Sequence, residues 1–473
     1  MDPLRHNLSF RTFRFSHLPV VAYVLLTTIP ALSQQPPATP PTCRVESVAF
    51  EGWHSEQISN PWVKLIIVPQ LGGRLMQVYF DGHPYLFVNP KFKGQYIPPA
   101  EAVKSHRWIN YGGDKIWPMP EGSQDEHHWP GPISDPLDDG EYTFTVLSQT
   151  PSCTIRLDGP PDLATGLQYS REITLAGDTP EIRFHAIMKN ISDHPIQWSV
   201  QSVTQYDTSD PQSPESYNRN FWAFTPANPN STYLDRYHVR SGLADDPSFR
   251  IEHDLFTLQW LPLQNEVWLD SAAGWLAVVD AASQYAMVEH FRYVSGGDYP
   301  GKATVIFYKN GGAVHLNEQG LPAISSQHPD NIARYLEAEL NSPIVPLTPG
   351  KIYAMDTVWH PVRVGKELLA VTDAGVCSTV LRAARTSEGL SLRGSFGVFF
   401  PGHLEAQFFD SRSEKIAQAS LQSVNPVRVV DLQETVAAPG NAAEVSIHLI
   451  DSSGKDCGTL GSAKIASPET KQK

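Results

Sequence analysis

The chain has 473 residues, with 36 Lys and Arg against 50 Asp and Glu and a net charge of −14. That acidic balance argues against nucleic acid or an anionic membrane surface as a partner, because like charges repel. Forty prolines and 32 glycines, with few long helical patterns, point to an all-β protein rich in turns and long enough for two or three domains.

At the N-terminus, Arg5, Arg11 and Arg14 precede the apolar run Leu18–Leu26, and Ala31-Leu32-Ser33 forms a small-residue cleavage pattern. Residues 1–33 therefore read as an export signal, with a retained anchor as the alternative. Residues 34–44 read as a proline-rich linker. A periplasmic or secreted protein with no membrane span after signal removal is expected. In an oxidising compartment Cys43, Cys153, Cys377 and Cys457 allow two disulfides in three connectivities. Their positions suggest one pair per domain, Cys43–Cys153 and Cys377–Cys457, with free buried thiols as the alternative. Neither spacing resembles a zinc site, and no metal or cofactor is expected.

From Ser47 the pattern is strand, turn, strand. Val63–Val68 turns through Gly72-Gly73 into Arg74–Phe80, and Asp81-Gly82 leads to Tyr85–Val88. After the irregular stretch Pro90–Lys104 comes the segment around which the chain is read, Trp108 to Glu121. It places two tryptophans, a tyrosine, a lysine, two carboxylates and an amide around Gly112-Gly113. The glycine pair permits positive φ and close backbone approach. Aromatic faces beside fixed donors and acceptors suit a sugar ring, while a tight loop with core tryptophans is the alternative. Asp125-Glu126 and His127-His128-Trp129 follow, and adjacent histidines on extended chain point to opposite sides, away from a shared metal. Asp135, Asp138, Asp139 and Glu141 read as a solvated turn about Pro136 and Gly140, without the ligand spacing of a calcium loop.

Strands then alternate through Glu141–Ser148, Cys153–Leu157, Leu167–Leu175, Glu181–Asn190, Gln197–Tyr206 and Val267–Val279. A pair of strands flanks the turn Ser295–Gly301, and Ala303–Tyr308, Ile332–Leu340 and Lys351–Val362 complete the large domain, residues 45–362. Ser209–Ser248 reads as a long irregular loop. Residues 365–466 hold several short strands and read as an immunoglobulin-like β-sandwich with no site of its own. Residues 467–473 read as a disordered tail.

Several of these segments resemble the galactose mutarotase-like (aldose 1-epimerase-like) superfamily, in an uncharacterised bacterial branch. Val68-Pro69-Gln70-Leu71-Gly72-Gly73-Arg74-Leu75 looks like its opening hairpin. Asn190-Ile191-Ser192-Asp193-His194-Pro195 looks like the approach to its substrate cleft. Tyr335–Leu340 followed by Pro343 and Leu347-Thr348-Pro349-Gly350 resembles the late strand carrying the epimerases' catalytic glutamate. The resemblance covers roughly 45–362 and implies a β-supersandwich with a sugar-binding cleft on a concave face.

It also exposes a departure. Mutarotation needs a general acid for the ring oxygen and a general base for the anomeric hydroxyl. The resembling enzymes take the acid from a histidine on the strand after the Asn190-like turn. Trp198–Asp207 contains none, and Gln205 stands near that place. Glu337 and Glu339, two apart on a strand, face one side, with Glu339 as the candidate base. His290, among alternating residues, is the first candidate to substitute for the acid, with a hydrogen-bonded core or edge histidine as the alternative reading, and His128 is the second candidate. Arg74, Trp108, Asn110, Asp114, Lys115, Trp117 and Gln205 complete the expected substrate cleft. The expectation is a carbohydrate-binding protein for neutral saccharides or oligosaccharides. A sugar epimerase using a glutamate base and a structural envelope protein are the alternatives.

Overall fold

The structure is a computed structural model that describes residues 43–105, 108–122, 127–132, 136–317, 319–320, 322–324, 333–365 and 367–466. The expected export signal, nearly all of the linker, Asp125, Glu126, Asp135 and the tail lie outside them. The described chain is all-β, built on three large sheets of 12, 10 and 8 strands. No helix among the described residues is long and apolar enough to cross a membrane.

The first sheet runs, through its centre, in the order Arg74–Phe80, Asp114–Met119, Ile196–Asp207, Tyr335–Asn341, Val305–Lys309, Asn265–Leu269 and His238–Gly242. Neighbours are antiparallel, so directly opposed residues point to the same face. One face carries Ile116, Val200, Tyr206, Leu336, Leu340, Phe307 and Val267, and packs on the second sheet as the main apolar core. The second sheet supplies Tyr169, Ile173, Phe184, Phe256 and Trp359 to the same core. The other face of the first sheet carries the polar residues considered below.

Gly72 and Gly112 fix how loops dock on that sheet. A Cβ on Gly112, at φ +95°, would stand 2.1 Å from the Phe87 carbonyl oxygen. One on Gly72, at φ +66°, would stand 1.8 Å from the Asp138 carbonyl oxygen. Only glycine lets the segment Pro136–Asp139 settle against the opening hairpin.

Several expected elements differ. The span Val267–Val279 is two strands, Asn265–Leu269 and Trp275–Asp280, which a turn at Gly274 sends to different sheets. The strands flanking Ser295–Gly301 likewise lie in different sheets and do not pair. The stretch Ser209–Ser248 holds ordered strands, including Phe221–Pro226 and His238–Gly242, which pairing with long-range partners stabilises despite its proline and asparagine content. Pro90–Lys104 contains a 3-10 turn at Pro90–Phe92 and most of the short helix Pro99–Ser105.

The third sheet, from Ala370 to Ala466, encloses a core of its own that includes Leu392, Phe396, Leu404, Ile447 and Leu449. A further cluster joins Val364, Val376 and Phe399 to Phe224, Ala277 and Val288 of the second sheet.

Cys43 and Cys153 form a disulfide 110 residues apart in sequence. Cys377 and Cys457 do not pair, contrary to expectation, and are free. The reason is register. The residue after Cys457, Gly458, sits over Asp373 and Ala374, and the two strands pair in parallel only at Ala383↔Ile465 and Ala384↔Ala466. Cys377 is opposed instead to Phe396 and Ala370 on its other side.

Candidate functional site

The polar face of the first sheet gathers side chains from six strands. Register places Trp117 beside Gln201 and Lys115 beside Val203. Val203 opposes Glu339, and Gln205 opposes Glu337. Ile306 and Tyr308 follow on the next strand, then Trp268 and Glu266. His238 closes the row against Trp268. Alternation along each strand explains why these residues share a face and their neighbours do not.

At the floor, Gln201 Nε2 donates to Glu339 Oε2 at 2.5 Å, and Gln205 Nε2 donates to Glu337 Oε1 at 2.7 Å. Lys115 Nζ lies 3.5 Å from that same Glu337 oxygen, so Lys115, Gln205 and Glu337 meet. The lysine ammonium also stands 4.5 Å from the Trp117 ring centroid and 5.5 Å from that of Trp108. Burial, then repulsion from Glu337 and Glu266, holds the Glu339 carboxyl well above the usual carboxylate range. Burial lowers the Lys115 ammonium, partly offset by Glu337. Burial raises Glu266 as well. The Tyr308 phenol is pushed up to about 12 by burial and by Glu337.

Beneath one wall of this floor lies a hub that the sequence reading does not foresee. Asp138, expected in a solvated turn, is buried, as is Asp139. Asp138 accepts from Arg74 Nη2 at 2.6 Å, Trp117 Nε1 at 2.8 Å and Trp108 Nε1 at 2.9 Å. Arg74 also donates to the Gly112 carbonyl at 3.1 Å and is fully buried. It thus ties the glycine loop to Asp138 and has no free edge with which to clamp a ligand. Trp117 is itself buried between Trp108 and Trp129, whereas Trp108 is half-buried. Asn110 shapes the loop, its Oδ1 accepting from the Gly112 amide at 3.1 Å.

Two expected site residues point elsewhere. Asp114 precedes Lys115 by one position and so faces the inter-sheet core, where it pairs with Arg171 and accepts from Thr204 Oγ1 at 3.0 Å. His290 is on the second sheet, its Nδ1 3.2 Å from that of His360 and its ring against Phe399. Its neighbour Glu289 takes the inward position instead, accepting from the Tyr206 hydroxyl at 2.5 Å. His290 is therefore not the acid for the cleft, and burial lowers it to about 4.

A cavity of about 830 Å³ lies away from this face, where Trp222, Phe224 and Leu255 of the second sheet meet Leu368, Leu369 and Val380. It holds none of the floor residues.

No family model and no curated protein matches the chain. Solved structures do. A galactose mutarotase-like protein from Clostridium acetobutylicum is 9% identical, with 68% of this chain and 99% of that chain covered and a TM-score of 0.42. For a galactose mutarotase-like protein from Lactobacillus casei the values are 10%, 65%, 99% and 0.40. A TPR-domain containing protein from Parabacteroides distasonis is 12% identical at a TM-score of 0.42, with 67% of this chain covered, and the chain spans about half of that one, 48%. The likeness is one of strand layout, and the site is defined by this chain's own residues.

Glu266, Trp268, Tyr308 and Gln201 belong to the face and are not among the residues the sequence reading selects. A signal for two of them exists in Asn265-Glu266-Val267-Trp268-Leu269. There a carboxylate and an indole alternate with residues bound for the core.

Proposed function

We propose that the polar face of the first sheet binds saccharides in an exported protein. The observation that carries this reading is the fixed floor. Two amide–carboxylate pairs, Gln201–Glu339 and Gln205–Glu337, stand in adjacent rungs beside the Lys115 ammonium. Half-buried rings, Trp108, Tyr308 and Trp268, stand around them. A sugar ring offers apolar C–H faces to such rings and hydroxyls to such a floor, and groups already held in place lose little freedom on binding. The Cys43–Cys153 disulfide supports a periplasmic or secreted location, since disulfides persist in oxidising compartments.

Calorimetric titration with mono- and oligosaccharides tests the reading. Saturable binding is expected, weakened by about 1–3 kcal/mol in Trp268→Ala if that ring is a binding anchor. Absence of binding across the panel would refute it.

One observation favours a second reading, acid–base chemistry on the bound sugar. Burial, then its carboxylate neighbours, raises the Glu339 carboxyl well above its usual range, while Glu337 is paired with an ammonium. A buried carboxyl raised above its usual range, two residues along the strand from a carboxyl that meets an ammonium, brings groups able to give and take a proton to one face. Polarimetry on a fresh anomer, with Glu339→Gln as the control, separates an enzyme from a binder.

A further inference from the structure

The floor of the cleft is unbalanced in its hydrogen-bonding groups. Its nitrogen donors are already engaged. Gln201 Nε2 serves Glu339, and Gln205 Nε2 serves Glu337. Lys115 Nζ is directed at Glu337. Trp268 Nε1 serves Glu266, and Trp117 Nε1 and Trp108 Nε1 both serve Asp138. Spare N–H groups remain on Lys115, Gln201 and Gln205, but the larger surplus is of acceptors. The carboxylates of Glu339, Glu337 and Glu266 each have more lone-pair sites than these contacts occupy. Gln205 is fully buried, and its Oε1 has no hydrogen-bond partner. That orphan acceptor is independent of the carboxylates and calls for a donor at the same place.

Charge points the same way. Glu337, Glu266 and Glu121 are near enough to add to the effect of burial in raising the Glu339 carboxyl, and Glu266 and Glu337 do the same to Glu121. Against them stand Lys115, already directed at Glu337, and Arg240, exposed and lying over the Trp268 ring. A hydroxyl both donates and accepts, so it meets this surface only in part. An ammonium group donates three hydrogen bonds, accepts none and carries the compensating charge.

We infer that the saccharide recognised on this face is an amino sugar with a free ammonium group, held by Glu339, Glu337, Glu266 and the Gln205 carbonyl. The inference rests on the saccharide reading above and adds the sign of the ligand. The aromatic walls select for a ring, and the acceptor-rich floor selects for the amine on it. An ammonium entering the floor would offset the burial and carboxylate repulsion that raise Glu339 and Glu266.

The test is calorimetric titration of the full chain with three oligosaccharides of equal length. They are a β-1,4-glucosamine oligomer, its N-acetylated form and the corresponding glucose oligomer. Spermidine serves as a cation without a ring. The glucosamine oligomer is expected to bind at least tenfold more tightly than either neutral oligomer, with the ratio falling as salt is raised. Glu266→Gln, an isosteric change at a half-buried floor position, should reduce that ratio several-fold with an unchanged far-ultraviolet dichroism spectrum. Glu121→Gln provides a second variant should the first not fold. Equal or weaker binding of the glucosamine oligomer would overturn the inference and leave the saccharide reading standing. Binding by spermidine as tight as by the glucosamine oligomer would overturn it by reducing the effect to attraction toward an acidic surface. No binding by any of the three oligomers would overturn the saccharide reading and the inference together.

Discussion

Replacing Asp138 by alanine should destabilise the protein by about 3–5 kcal/mol, the usual cost of breaking a buried ion pair by deleting one partner. The structure sets the magnitude. The change removes the acceptor for Arg74 Nη2 at 2.6 Å, Trp117 Nε1 at 2.8 Å and Trp108 Nε1 at 2.9 Å, and Arg74 has no exposure through which water could replace it. Asp139 Oδ1, 4.0 Å from Arg74 Nη2, retains some compensation and keeps the loss within that range. Urea unfolding followed by tryptophan fluorescence reads the effect directly, since two of the affected groups are indoles. The double variant Arg74→Met/Asp138→Leu should be more stable than Asp138→Ala, because no uncompensated guanidinium is left inside. A loss below about 1 kcal/mol in Asp138→Ala, the range of exposed pairs, would show that this hub does not hold the loop.

Thiol titration of native protein should find two reactive groups, Cys377 and Cys457, with Cys457 reacting faster because it is only half-buried; four thiols or none would contradict the pairing. Trp117→Ala should behave as a core truncation costing about 3–5 kcal/mol in urea unfolding, since the ring is packed between Trp108 and Trp129, and a near-neutral outcome would return that ring to the ligand. His290→Gln should leave saccharide affinity unchanged in calorimetry, because His290 lies against His360 and Phe399 on the second sheet. Burial raises the Glu289 carboxyl to about 8, so the folded state holds a proton that the unfolded chain releases near its ordinary value of 4.5. The stability this group contributes is then fully present below that value and lost as pH rises toward 8. Unfolding free energies between pH 5 and 8 should fall less steeply in Glu289→Gln than in the parent chain, and parallel slopes would refute the assignment.

Period-two alternation makes much of this architecture legible. It places Glu337 and Glu339 on one face, and Gln205 meets Glu337 there as its residue type and position lead one to expect. The same rule separates Asp114 from Lys115, so grouping those two by nearness in sequence misplaces Asp114. Other features have no local signal. The burial of Asp138 depends on Gly72 receiving its backbone, a contact across 66 positions of chain. The free state of Cys377 and Cys457 depends on register between strands that pair only at their far ends. Glu266 and Trp268 join the face because Asn265–Leu269 pairs with Val305–Lys309, which in turn pairs with Tyr335–Asn341. Sequence spacing marks them as sharing a face but does not say which one.

The strand Asp114–Met119 shows why specificity and stability are tied together in this protein. All six of its residues are buried, yet it carries opposite charges at consecutive positions. Each charge is answered from a different side. Asp114 pairs with Arg171 across the sheet interface, and Lys115 reaches Glu337 on the polar face. Below, Tyr206 and Glu289 continue the polar layer between the sheets, and above, Gln201 and Gln205 pin the carboxylates in adjacent rungs. A floor whose every charged group is fixed from another strand cannot reorient to suit a poor ligand, and so it discriminates by the penalty of leaving buried acceptors unmet. The wall residues Trp268, Trp108 and Tyr308 are only half-buried and can supply contact area to any ring. Substitutions in the walls should therefore change how tightly ligands bind, and substitutions in the floor should change which ligands are told apart.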